Sequence, residues 1–326
     1  MRALVCKEYG PPESLVIEEH DEPVPGPGQV CIDVAAAGIN FPDVLAIAGK
    51  YQVKTPTPFI PGNEAAGIVA AIGDGVTRYA VGDKVIINCT GGAFAEKCVA
   101  DVTTTAPLPD GLSFEQGAGF SVTYGTSAHA LRQSANLKPG ETVLVLGAAG
   151  GVGISAVEIA KAMGARVIAA ASSEEKLAFA RAAGADDTIN YSTTPLKETV
   201  KELTGGKGAD VVYDPVGGEL ADQAFRATAW HGRYLVIGFA SGDIPKFPAN
   251  IALLKEASII GVWWGTWAMK NPELQRENML EIAKLVGAGK VSPRVTESYS
   301  LDKFAAAFKA ITERRALGKV TLGMRS

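Results

Sequence analysis

The 326-residue chain is poor in the side chains that make disulfides, thiolate metal sites and imidazole catalysis, with four cysteines and three histidines. Cys6, Cys31, Cys89 and Cys98 are scattered, without a C-x-x-C pair. That spacing argues against a disulfide framework and a thiolate metal site, and it expects a reducing, cytoplasmic setting. His20, His129 and His231 stand far apart, and nothing beside them marks a catalytic base. A basic surplus is also lacking. Lys and Arg number 31 against 35 Asp and Glu, a net charge of −4 with no cationic cluster, so no nucleic-acid partner is expected. Apolar runs such as 258–264 are too short to span a bilayer, and Met1-Arg-Ala-Leu-Val-Cys-Lys-Glu8 meets charge too soon for a secretory leader. No membrane partner is expected either. No Ser or Cys has the surroundings of an activated nucleophile, which disfavours hydrolase chemistry.

What the chain does have is apolar sequence, 47% of residues, in a length that exceeds one core, so two domains are expected. Its organising stretch is 141–176. Thr142-Val-Leu-Val-Leu146 is an unbroken apolar run, the mark of a strand buried on both faces. Gly147-Ala-Ala-Gly-Gly-Val-Gly153 follows at once, and apolar residues then recur at helical spacing to Gly164. Strand, glycine turn and helix open a dinucleotide-binding fold, although Ala148 stands at the first glycine of G-x-G-x-x-G. Gly150 lets the backbone approach a pyrophosphate, Gly153 lets helix and strand pack closely, and the helix-start N–H groups hold the charge.

The next buried strand, 166–171, ends where an adenosine ribose would lie. NAD sites usually place Asp or Glu there to accept from the 2′-hydroxyl. Here stand Ala171, Ser172, Ser173 and, one turn later, Lys176. A carboxylate would repel a 2′-phosphate, whereas two hydroxyls and an ammonium donate to it. NADPH is therefore the expected cofactor. The plainer alternative for Lys176 is a solvated helix-start lysine beside Glu174 and Glu175.

Residues 1 to about 120 read as strands and turns, with strands at 15–18, 30–36, 59–69 and 81–85, and a Pro- and Gly-rich break at 22–28. Ser113 caps a helix, and 124–134 has a helical period. From 142 to 261, apolar strands alternate with helices: 142–146, 166–171, 188–191, 209–214, 233–238 and 258–262. The expectation is an α/β, doubly wound parallel sheet of six strands. The tail holds helices at 274–286 and 301–312 and a strand at 319–322, and is expected to return to the first domain.

The pieces Gly38-Ile-Asn-Phe-Pro-Asp43, Gly62-Asn-Glu-Ala-Ala-Gly67, the 147–153 turn and Asp214-Pro-Val-Gly-Gly218 fall in the order of the medium-chain dehydrogenases/reductases. The whole chain resembles that family, and most closely its zinc-independent quinone oxidoreductase branch. The resemblance implies a GroES-like, mostly antiparallel catalytic domain (1–122 and 264–326) and an inserted Rossmann NADPH-binding domain (123–263). It also implies a homodimer joined through the last strand of the nucleotide sheet. Zinc-binding members hold the metal with Cys and His where this chain has Asn40 and Asn63, and carboxamides bind zinc poorly. The cysteine-rich structural lobe that would follow Asn88 is missing too, so no metal is expected.

By the same resemblance, Asn40 and Thr126 flank the nicotinamide ribose and carboxamide. Gly150, Gly151 and Val152 carry the pyrophosphate. Lys176 and Tyr191 border the 2′-phosphate. Gly238, Phe239 and Lys319 lie along the cofactor's path. Tyr51 follows Gly49-Lys50, where related enoyl reductases have a tyrosine linked to proton donation; it serves as that donor or as an aromatic wall. Asp43 and Glu64 are expected as structural acceptors rather than acids. Trp263, Trp264 and Trp267 would line a flat pocket or form a subunit contact. Without zinc, simple alcohol oxidation loses its Lewis acid. A quinone or related conjugated carbonyl accepts hydride with less help. The alternatives are an enoyl-CoA or 2-alkenal reductase, and a non-catalytic NADPH-binding protein like some lens crystallins of the family.

Overall fold

A computed structural model describes residues 1–324, and the chain falls into two compact units. The first takes Met1–Val122 and the residues from Pro293 on; the second takes Thr123–Ser292. In chain order the first unit opens with β1 (Arg2–Val5), β2 (Val16–Glu19), β3 (Gln29–Ile39), α1 (Phe41–Ile47), β4 (Glu64–Ile72), β5 (Lys84–Asn88), β6 (Lys97–Asp101), β7 (Thr105–Pro107) and α2 (Phe114–Ala118). Helix α3 (Ser121–Ala128) leads into the second unit. There follow β8 (Thr142–Leu146), α4 (Gly151–Ala162), β9 (Arg166–Ala171), α5 (Glu174–Ala182), β10 (Asp187–Asn190), α6 (Leu196–Leu203) and β11 (Ala209–Asp214). Then come α7 (Glu219–Arg226), β12 (Thr228–Val236), α8 (Ala249–Lys255), β13 (Ser258–Gly261), α9 (Trp264–Lys270) and α10 (Pro272–Gly287). The chain closes the first unit with β14 (Val295–Ser300), α11 (Phe304–Thr312) and β15 (Lys319–Gly323).

In the second unit, the six strands expected from the alternation form one parallel sheet in the order β10-β9-β8-β11-β12-β13. The unbroken apolar runs belong to its middle, where Val143–Leu146 and Val167–Ala171 are buried because helices cover both faces. The order reverses at β8, so the glycine turn after β8 sits at the switch point, at the carboxyl ends of the strands.

The first unit is built on β3, eleven residues long. Strand β4 runs antiparallel along one side of it; on the other side β6 pairs Gln29–Asp33 and β15 pairs Ala36–Ile39. Among the described residues, only the β14–β15 pair in this sheet is parallel. Leu4, Val30, Ile32, Val34, Phe94, Phe308 and Leu322 fill its core.

One boundary differs from expectation. The sequence returned the chain to the first unit at 264, but α9 and α10 stay with the second. The Trp264 indole lies so close to Gly125 that a Cβ there would meet its Cζ2 at 2.6 Å. Trp267 stacks on His129, with centroids 3.9 Å apart. Gln133 and Asn278 exchange amide hydrogen bonds of 3.0 and 3.1 Å, and Arg132 pairs with Glu281 at 2.6 Å. These contacts hold both helices on α3 and on the π-helical turn His129–Ser134 that extends it. They also separate the tryptophans: Trp264 is buried, while Trp263 is half exposed at 52%.

Candidate active site

The site residues read from the sequence fall into two groups, one in each unit. In the first unit, strand register assembles them. Antiparallel pairing sets Val320 opposite Ile39 and Ala65 opposite Ala37, so Lys319 at the start of β15 and Glu64 at the start of β4 converge on the end of β3 and on Asn40. Asn40 precedes α1. Its N–H donates to Asp43 Oδ2 at 2.7 Å, and the other Asp43 oxygen accepts from Asn63 Nδ2 at 2.9 Å. Glu64 Oε2 accepts from the Val122 N–H at 2.9 Å. Its Oε1 accepts from Asn40 Nδ2 at 2.8 Å and from Lys319 Nζ at 2.5 Å. Lys319 Nζ also donates to Asn40 Oδ1 at 2.5 Å. Both carboxylates are thus acceptors for backbone, amide and ammonium donors. Burial pushes the Asp43 carboxyl up to about 7, against the lowering effect of the Asn40 N–H and the Lys319 charge.

The Lys319 link to Glu64 crosses 255 residues of sequence, which is why sequence reasoning placed Lys319 by resemblance alone. Tyr51, half-buried in the turn after α1, takes no part in these hydrogen bonds; its N–H bonds the Leu45 carbonyl at 3.1 Å. A cavity of about 130 Å³ opens beside Asp43 and Asn63, lined also by Thr55, Phe59 and Thr90.

This donor set does not fit a zinc ion. Asn40 and Asn63 offer carboxamides, and one Glu64 oxygen is already held by an ammonium. Cys89, whose N–H bonds the Asn63 carbonyl at 2.8 Å, has its Sγ facing the Gly62 carbonyl and Cys98 Sγ, each at 3.7 Å. Its contact with Cys98, and then burial, push that thiol well above its ordinary range, away from the thiolate a metal needs.

The second group gathers because its members follow the ends of neighbouring parallel strands, which lie on one edge of the sheet. After β8, Gly150 caps the twelve-residue α4 with no side-chain partner, and Gly151 and Val152 form its first turn. A Cβ on Gly153 would come within 2.2 Å of the Gly147 carbonyl, so only glycine lets the helix pack this close to the turn. After β9, Ser173 caps α5 by accepting from the Lys176 N–H at 3.4 Å, and Lys176 Nζ donates to Ser172 Oγ at 3.2 Å. After β10, the Tyr191 N–H bonds the Ala171 carbonyl at 3.1 Å, so Tyr191 adjoins the same turn.

After β11, Asp214 accepts from the Val216 and Gly217 N–H groups at 2.7 and 2.9 Å and from Tyr234 Oη at 2.5 Å. Burial raises this carboxyl despite those donors. The Gly238 N–H donates to the Asp214 carbonyl at 3.3 Å and that of Ala240 to the Pro215 carbonyl at 3.0 Å, so the loop carrying Gly238 and Phe239 is tied to the turn after β11. Thr126 is buried in α3. Beside it, Ser127 Oγ meets Ser155 Oγ at 2.8 Å and Tyr213 Oη at 2.9 Å, bracing α3 against α4 and β11. No sequence pattern marks this hydroxyl cluster, because its members lie 28 and 86 residues from Ser127.

Comparison with known proteins agrees with this architecture. The alcohol dehydrogenase GroES-like domain family matches residues 26–135, and the zinc-binding dehydrogenase family matches 151–284. A quinone oxidoreductase-like protein 2 homolog of Nematostella vectensis is 42% identical over 98% of this chain and 88% of its own length. The Escherichia coli quinone oxidoreductase, solved as a complex with NADPH, superposes with a TM-score of 0.92 at 30% identity, covering 99% of this chain and 100% of its own. The CurK enoyl reductase gives a TM-score of 0.90 at 28% identity, covering 99% of each chain. With a two-unit fold, a glycine turn at the switch point and relatives of this closeness over nearly its whole length, the chain belongs to the quinone oxidoreductase branch of the medium-chain dehydrogenase/reductase family.

Proposed function

We propose that the chain is an NADPH-dependent oxidoreductase that reduces quinones or related conjugated carbonyls without a metal. The observation that carries this reading is the turn after β9, where Lys176, Ser172 and Ser173 offer an ammonium and two hydroxyls and no carboxylate occupies Ala171–Ser173, where an NAD site would place one. That chemistry suits a 2′-phosphate, and the related Escherichia coli structure holds NADPH. The uncapped α4 N-terminus suits the pyrophosphate. When bound, the reduced nicotinamide supplies a hydride.

The chain's own residues bind, orient and manage charge. Gly150, Gly151 and Val152 present backbone donors, and Thr126, Gly238 and Phe239 border the cofactor's path. Asn40 contacts the nicotinamide nucleotide through its carboxamide. With an ammonium and two amides where a zinc would sit, the acceptor must be electron-poor enough to take hydride unaided, as a quinone is. The hydroquinone oxygens take protons from water.

The second reading, an enoyl-CoA or 2-alkenal reductase, draws on the likeness to the CurK enoyl reductase and on the half-buried Tyr51 as a proton donor to carbon. We also assign a homodimer. Strand β13 is an edge of the nucleotide sheet with Ile259 41% exposed, an apolar edge that a second copy would cover. Steady-state oxidation of NADPH against matched panels of quinones and 2-alkenals tests the function: quinone turnover supports it, and alkenal turnover alone selects the second reading. Binding of NADPH with no turnover of either panel overturns both in favour of a cofactor-binding protein.

A further inference from the structure

Lys319 is a deeply buried cation, its side chain 6% exposed and its partner Glu64 1% exposed. Burial on that scale is tolerated only when every charge is matched and hydrogen-bonded. The fold has made room for this lysine. A Cβ on Gly119 would meet Lys319 Cγ at 2.7 Å, and one on Gly38 would meet Lys319 Cε at 2.9 Å as well as the Ala118 carbonyl at 2.3 Å and Glu64 Oε1 at 2.7 Å. The aliphatic stem therefore passes between two glycines to reach Asn40 and Glu64. Holding β15 in the sheet does not require this, since four backbone pairs already register β15 on β3.

What the ammonium does at the end of that passage is hold an amide. The Asn40 oxygen faces Lys319 Nζ and its nitrogen faces Glu64 Oε1. The two ends of a carboxamide have nearly the same shape and exchange by a half-turn of the side chain. With an ammonium on one side and a carboxylate on the other, that exchange sets donor against donor and acceptor against acceptor. We propose that Lys319 is a positioning residue: its ion pair with Glu64 locks the Asn40 carboxamide in one orientation, so that the remaining N–H and oxygen lone pair are preset for the nicotinamide nucleotide. This rests on the reading that Asn40 contacts that nucleotide, and it moves Lys319 from cofactor contact to support of the contact.

The test uses the full chain with NADPH and a quinone, in Lys319→Met, Lys319→Met/Glu64→Gln, Asn40→Ala and the triple combination. Lys319→Met alone leaves the Glu64 charge unpaired and is expected to lower Tm. The double variant removes both charges and should regain Tm, yet kcat should stay down by about 10²-fold, the scale of a misplaced reacting partner. Adding Asn40→Ala to the double variant should then cost no more than about twofold, because the amide is already unpositioned. NADPH affinity, read by the fluorescence of the bound nicotinamide, should show the same non-additivity without any turnover. Wild-type kcat and affinity in the double variant would reduce the pair to a structural role and overturn the proposal. Full additivity of the Asn40 and Lys319 effects on affinity would overturn it too. Absence of quinone turnover in the wild type, with the affinity coupling intact, would defeat the proposed acceptor and leave the positioning role standing.

Discussion

Replacing Lys176 by alanine isolates the cofactor preference. The ammonium lies 3.2 Å from Ser172 Oγ in a half-buried turn beside Tyr191, and no carboxylate occupies the Ala171–Ser173 segment. A charged hydrogen bond in such a place contributes about 1–3 kcal/mol. At 1.4 kcal/mol per tenfold, Lys176→Ala should weaken NADPH by about 5- to 150-fold. NADH has no phosphate at this point, so its affinity should hardly change. Titration of nicotinamide fluorescence at matched ionic strength reads both constants, and added salt should shrink the NADPH difference by screening it. Ser172→Asp should go further, repelling the 2′-phosphate while offering NADH an acceptor for its ribose hydroxyl. Equal losses of NADPH and NADH in Lys176→Ala would refute the assignment and leave Lys176 as a solvated helix-start lysine.

Three further outcomes follow. Asp43 titrates near 7 in the folded chain against 3.8 as the ordinary value, so the folded state binds the extra proton; stability should fall as pH rises from about 4 through 7 and then level off. Chemical denaturation across that window should show the slope in the wild type and lose it in Asp43→Asn, and an unchanged slope in the variant would contradict the assignment. In sedimentation the chain should run as a dimer, with Ile259→Asp on β13 releasing monomer; a wild type that is monomeric at micromolar concentration would contradict the edge assignment. Tyr51→Phe should keep most quinone turnover while any 2-alkenal turnover drops by about 10²–10⁴-fold, and a collapse of quinone turnover with folding and NADPH affinity intact would show that Tyr51 serves quinones as well.

Much of the nucleotide unit was legible because its information is local. An apolar run such as Val143–Leu146 is a buried strand whatever follows, and Gly150 and Gly153 acquire their meaning from the strand before and the helix after. Ser172, Ser173 and Lys176 could be grouped from sequence for the same reason, since they lie within one helical turn of a cap; the Lys176–Ser172 hydrogen bond itself comes from the structure. What sequence could not show was anything set by register between distant strands. Glu64 read as an acceptor without an identified donor, and its donor Lys319 lies 255 residues away. The end of the nucleotide unit was misplaced for a related reason. The amphipathic pattern of α10 marks a face to be buried but not its partner, and Asn278 and Glu281 find theirs at Gln133 and Arg132. The π-helical turn at His129 likewise breaks no pattern that a helical period would reveal.

Hydride delivery from NADPH to a quinone without metal can be measured on one purified sample. Its metal content is measured, it is treated with chelator, and NADPH consumption is then followed with and without a benzoquinone. The donor set at Asn40, Asn63, Glu64 and Lys319 predicts no stoichiometric zinc and quinone-dependent NADPH oxidation that chelator leaves unchanged. One tightly held zinc per chain, with turnover lost on its removal, would contradict it.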